Sequence, residues 1–136
     1  MSEHPKAAVV RQMSEAMAAG DMATAASFVA DDIVWHTGGN SKAAGATRGK
    51  EAVRASMAAM AEPGAMKADV HDVIGNDEHT VVLGTAVVTA PSGASVEYNY
   101  VNVFHITDGT ITEVWGLAEN DAVTDPVWDE FASAAG

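Results

Sequence analysis

The chain has 136 residues, 48% of them hydrophobic and 19% charged, a length and composition that fit one domain with a real core and exclude both two ordinary domains and wholesale disorder. Seven Lys and Arg against 19 Asp and Glu give a formal charge of −12, which removes the electrostatic footprint for nucleic acid and repels anionic membranes. Cysteine is absent, so disulfides, thiolate metal sites and a Cys nucleophile are excluded.

The N-terminal apolar run Ala7-Ala8-Val9-Val10 ends at Arg11-Gln12, too short for a signal-peptide core or a membrane span. A soluble, cytoplasmic protein is the expectation. Pro5 suits the first turn of a helix, and Val9, Val10, Met13, Ala16 and Met17 then recur at helical spacing until Gly20. Asp21 can cap a short second helix carrying Met22, Ala25, Ala26, Phe28 and Val29. Ile33-Val34-Trp35 is β-rich and ends at Gly38-Gly39-Asn40; Ser41 to Gly49 reads as a small-residue loop. A third helix is expected from Lys50 to Ala61, with Val53, Met57 and Met60 on one face, closed by Glu62-Pro63-Gly64.

Beyond Pro63 the period changes from helical to alternating. Strands are expected over Met66–Ile74, Thr80–Ala90, Ser95–Thr107 and Ile111–Ala118, with the Asp108-Gly109 pair making the last hairpin turn. The tail predicts one helical turn with Pro126 at its start. Segregated helices and strands of this kind make an α+β domain: three N-terminal helices on the concave face of a strongly bent antiparallel sheet, a cone with an apolar interior open at one end. The single domain spans 1–136, with an ordered core of about 5–131.

Four segments carry a family resemblance: Met13 to Asp21, Phe28 to His36, the glycine loop into Arg48-Gly49-Lys50-Glu51-Ala52-Val53, and Val103 to Trp115. Together they resemble the SnoaL-like branch of the nuclear transport factor 2-like superfamily, over about residues 5 to 131. That fold hosts isomerases, cyclases, dehydratases, epoxide hydrolases and binding modules, so the resemblance implies fold more than chemistry. Aligned with ketosteroid isomerases, Met13 stands for the oxyanion-hole Tyr, Thr37 for the base and Asn102 for the protonated Asp; only Asn102 keeps a donor. The Asp–Arg–Asp set of limonene-type epoxide hydrolases is missing too, because Arg11, Arg48 and Arg54 all precede the four-strand run. Steroid isomerisation and limonene-type epoxide hydrolysis are therefore not expected; a polyketide-type cyclisation needs only a base and a shaped pocket.

Alternation along the third strand of that run puts Tyr98, Tyr100, Asn102, Phe104 and Ile106 on one face and Glu97, Asn99, Val101, Val103 and His105 on the other. The first set is expected to be concave, so the predicted pocket is Trp35, Tyr100, Asn102 and Phe104 with Met13, Met17 and Met57 from the helices. Asn102 would orient a ligand. His36 is a candidate acid–base group, although alternation from Trp35 turns it away unless the strand ends there. Asp121, beside Asn120 just past the last strand, stands where cyclase-like relatives can carry an acidic catalytic residue. Trp115 shares the parity of Glu113 and fits either pocket or dimer surface. No spacing suggests a metal, a dinucleotide or a phosphate loop, and no cofactor is expected. The reading is a cofactor-free acid–base enzyme acting on a small hydrophobic molecule, or a non-catalytic binding or dimerisation module of the same fold. The outward Val101 and Val103 suggest a homodimer, as does the resemblance.

Overall fold

The structure, a computed structural model, describes residues 3–58 and 65–135. Helix α1 spans Pro5–Ala18, with Pro5 in its first turn and the His4 side chain accepting from the Lys6 N–H. Gly20, at φ +76°, turns the chain left-handedly into α2, Met22–Ser27, which Asp21 caps by accepting from the Thr24 N–H at 3.1 Å. Helix α3 covers Lys50–Ala58. The expected continuation to Ala61, with Met60, and the Met57 side chain lie outside the described residues.

The sheet has six strands in the order β2-β1-β6-β5-β4-β3. Strands β3 (Met66–Gly75), β4 (Thr80–Thr89), β5 (Ser95–Thr107) and β6 (Thr110–Ala118) form the expected antiparallel run. Asp108 and Gly109 take φ +51° and +80° in the last turn, the backbone an Asp-Gly hairpin supplies. Strand β1 is longer than its β-rich segment, Val29–Thr37, because it gains a partner along its length: it runs parallel to β6, from Val29 opposite Ile111 to Thr37 opposite Gly116. Among the described residues this is the one parallel junction of the sheet.

Two expectations are corrected. The segment read as a loop contains β2, Gly45–Arg48, which pairs antiparallel with β1; its small residues show no alternation of their own, and pairing imposes the strand. The tail is a full helix, α4, Asp121–Ala135, with Pro126 inside it rather than at its start. Thr124, Val127, Trp128 and Phe131 lie at helical spacing, and the last three join Val88, Ala90, Val96 and Tyr98 in an apolar cluster. Tertiary packing overrides the local penalty of the proline.

The main core joins Val10 and Met13 of α1, Ala25 of α2 and Val53 of α3 to Ile33, Val82, Phe104, Ile106, Ile111 and Val114 of the sheet. The helices therefore cover the concave face. No described helix is long and apolar enough to cross a membrane.

Candidate functional site on the concave face

Phe104 and Ile106 are buried against α1 and α3, which fixes the even-numbered residues of β5 as inward. Register then carries that face across the sheet: Val82, Asn102 and Gly116 stand opposite one another, and Thr37 stands opposite Gly116. Gly116 has no side chain to fill the place above it. A Cβ there would lie 3.4 Å from Trp35 Nε1 and 3.5 Å from Asn102 Oδ1. An indole N–H and a side-chain amide thus converge over one glycine, on a wall whose other inward residues are apolar or aromatic apart from Thr37. Among the described residues, no hydrogen bond engages either group.

Tyr100 lies flat over a second glycine: a Cβ on Gly84 would stand 2.6 Å from the Tyr100 Cζ. Tyr98 follows, 6.4 Å from Tyr100 ring to ring and edge-on to Trp128 at 6.3 Å. Burial, and then the charge of Tyr100, pushes the Tyr98 phenol up to about 12. Burial, and then Asp69, raises Tyr100 as well.

The structure brings Met13, Met17, Trp35, Tyr100, Asn102 and Phe104 to one face, with Met13 and Phe104 built into the core itself. It separates His36 and Trp115 from them. Because Trp35 packs inward, strand alternation turns His36 outward, and register sets it opposite Trp115. There His36 Nε2 donates to Glu113 Oε2 at 2.6 Å, and the His36 and Trp115 rings stack at 5.0 Å and 10°. His105 approaches Trp115 edge-on at 4.8 Å and Glu113 at 3.6 Å. His36 is thus not a proton carrier for the concave pocket, and Trp115 does not line it. Parity alone foreshadows His105, Glu113 and Trp115 as outward neighbours; the β1–β6 pairing that adds His36 has no local signal.

Asp121 opens α4, but its carboxyl rests on the Gly38–Gly39 turn rather than over Asn102. A Cβ on Gly39, which has φ +86°, would stand 3.2 Å from Asp121 Cγ and would collide with Asp125. One helical turn on, Asp125 Oδ2 accepts from the Asn40 N–H at 3.0 Å, and a turn further Asp129 Oδ1 accepts from the Lys42 N–H at 2.6 Å. The i, i+4 spacing of Asp121, Asp125 and Asp129 was visible in the sequence; the helix that gives it meaning was not expected. Asn120 lines a cleft of about 430 Å³ with Glu97, Tyr98, Glu119 and Val123. Among the described residues, no three His, Asp or Glu side chains are grouped to hold a metal ion.

Chemically, Trp35 offers a donor and Asn102 a donor or acceptor. The pair can hold a carbonyl or hydroxyl oxygen. Their inward neighbours by register, Thr37, Val82, Tyr100, Phe104, Val114 and Gly116, include no carboxylate or imidazole.

No curated protein matches this chain. Solved structures with the same fold are numerous. Bal32a, from a soil-derived mobile gene cassette, is 24% identical, with 91% of this chain and 96% of that one covered at a TM-score of 0.82. A protein of unknown function with a cystatin-like fold from Xanthomonas campestris is 24% identical, with 90% and 97% covered at 0.83. TerC, solved with polyporic acid, is 17% identical, with 93% and 99% covered at 0.76. The model of the SnoaL-like domain matches residues 10–114, from the first helix to the last strand, and the chain belongs to that family.

Proposed function

We propose that this chain is a cofactor-free small-molecule pocket protein, in which a small, mostly hydrophobic molecule sits in the cone with one polar group held by Asn102 and Trp35. The carrying observation is the convergence of Trp35 Nε1 and Asn102 Oδ1 over Gly116 on a largely apolar wall. The fold family supports it, and so does TerC, which was co-crystallised with polyporic acid. Binding of a panel of hydrophobic ketones and esters, read by calorimetry on the chain and on Asn102→Leu, tests the reading. Loss of affinity in the variant is expected; unchanged affinity would refute it.

The chemistry that suits a neutral N–H donor beside a side-chain amide is proton transfer of the isomerase, cyclase or lyase type, with the Trp35 N–H, joined by the Asn102 amide when its NH2 turns inward, stabilising a developing oxyanion. In this reading Asp121, whose carboxyl lies against the Gly38–Gly39 turn that follows Thr37, is the acid–base group. A non-catalytic binder is the second reading, favoured by the lack of a carboxylate or imidazole among the inward neighbours of Asn102. Exchange of α-hydrogens for deuterium in a bound ketone, followed by NMR, separates the two. Exchange lost in Asp121→Asn supports the enzyme; no exchange above buffer supports the binder.

We also propose a homodimer through the outer face of the sheet. Val81, Leu83, Val101, Val103, Trp115 and Leu117 form an apolar band there, with Leu83 36% and Leu117 47% exposed. Sedimentation at micromolar concentration should give twice the 14.0 kDa chain mass; a single-chain species alone would refute it.

A further inference from the structure

Among the described residues, the charged side chains are distributed so that no cation stands beside Trp35 and Asn102. Lys6 reaches the Asp77 carbonyl, Arg11 is held by Glu3 and Glu15, and Arg54 by Glu51. Lys42 donates to Ser133, while Arg48 and Lys67 face outward by register, opposite Val34 and Val87. Lys50 opens α3 next to Gly49, whose N–H bonds the Ile33 carbonyl, and among the described residues it makes no hydrogen bond to Trp35 or Asn102. The imidazoles are placed likewise: His4 at Asp77, His36 at Glu113, His71 at Thr85, and His79 against His105 on the outer side. Residues 59–64 contain no Lys, Arg or His, so they add no cation to the cone.

The whole chain carries −12, with Glu97 and Glu119 lining the cleft beside Tyr98, so the field around the surface is negative. An anionic group entering the cone would leave water and find, among the described inward residues around Asn102, only neutral groups: the Trp35 indole N–H, the Asn102 amide, the Thr37 hydroxyl and the Tyr100 phenol. Neutral dipoles offset little of the cost of stripping a full charge of its hydration.

We propose that the cone selects electroneutral molecules: its occupant is a ketone, ester, lactone or alcohol, and a carboxylate or phosphate of the same size is excluded. This rests on the pocket reading above and adds the charge class of the ligand to it.

Matched probes test it on the full chain. Methyl 2-naphthoate is compared with 2-naphthoate, and methyl cyclohexanecarboxylate with cyclohexanecarboxylate, by calorimetry and by quenching of tryptophan fluorescence, at low and high salt. The ester should bind at least about 100-fold more tightly than its acid. The preference should persist at high salt, because the missing partner is local and not part of the screened surface field. Thr37→Lys, which puts an ammonium on the inner face opposite Gly116, should raise carboxylate affinity by at least about tenfold, as pairing offsets desolvation. A carboxylate within about threefold of its ester would overturn the inference and leave the pocket reading standing. So would a preference that vanishes at high salt, since it would belong to the surface alone. Binding of no probe at all would remove the pocket reading itself. Should Thr37→Lys fail to fold, the probe pairs on the unaltered chain still decide.

Discussion

The two faces of β5 are written by alternate residues of one strand, yet they follow different physics. Inward, Phe104 and Ile106 are packed dry against helices, and the strand then opens to Asn102, Tyr100 and Tyr98. Outward, the same strand carries Asn99, Val101, Val103 and His105, and its polar groups are tied laterally: Asn99 Nδ2 donates to Glu119 at 2.8 Å and Asn99 Oδ1 accepts from Thr85 at 2.9 Å, while His105 approaches Glu113. Among the described residues, the inward Asn102, Tyr100 and Tyr98 side chains make no hydrogen bond, whereas the polar groups outside are engaged with each other. Unpaired polar groups in a dry wall suit a ligand, whereas a paired network flanking apolar side chains suits a second surface.

The sharpest test of that contrast is stability. Phe104→Ala should cost about 3–5 kcal/mol in urea denaturation, through lost burial and a cavity. Its neighbour Val103→Ala should cost below about 1 kcal/mol in the single chain. Equal losses would break the distinction between the faces, while a Val103 loss that grows with protein concentration would mark a covered outer face.

Binding comes next. Asn102→Leu should weaken a ketone or ester ligand by about 1–3 kcal/mol, the cost of leaving a polar group unpaired, with little change in volume. His36→Ala should leave that affinity unchanged, since His36 faces the other way. An equal effect of both would mean that the faces communicate.

Gly84→Ala should destabilise by about 1–3 kcal/mol, because the new methyl meets the Tyr100 ring and the ring must shift. The loss should shrink in a Tyr100→Leu background; an undiminished loss would place the strain elsewhere.

Alkaline titration reads the dryness of the inner face. The native phenols of Tyr98 and Tyr100 are raised, so they hold their protons where those of an unfolded chain lose them, near pH 10. A folded pKa above the unfolded one contributes stability fully present below about pH 10 and lost as pH rises through about 12. Ultraviolet absorbance should show tyrosinate appearing later in the native chain than in urea; coincident curves would contradict a dry face. The smallest effect belongs outside: Glu113→Gln, which weakens a half-exposed pair with His36, should cost below about 1 kcal/mol by thermal denaturation.

Legibility in the sequence followed the range of the forces involved. The β5 alternation was readable because thirteen consecutive residues keep one period, and it placed Asn102 on the inner face correctly. The end of α1 and the start of α2 were readable because Gly20 and Asp21 act locally; the end of α2 was not, since Val29, expected in the helix, begins β1 through its pairing with Ile111. Strand β2 and helix α4 were not: Gly45–Arg48 is a strand only through β1, and Pro126 argues locally against the helix that Val127, Trp128 and Phe131 stabilise by packing. The meeting of Trp35 with Asn102 depends on Gly116 between them, a relation among three strands that no window along the chain contains.

The parallel pairing of β1 with β6 also has a bearing on how the chain reaches its fold. Each of the other strand pairs in β3 to β6 is closed by a short turn, but β1 must wait for a strand some eighty residues later in the chain. Ring closure over that distance comes late, because its entropy is spent before its contacts form. The N-terminal helices therefore have no finished surface to rest on until the last hairpin is made, and during synthesis the first quarter of the protein is the last to become secure. Pulsed hydrogen exchange during refolding should protect the amides of β4 and β5 before those of β1; the reverse order would show that the helices and β1 find their places without the sheet.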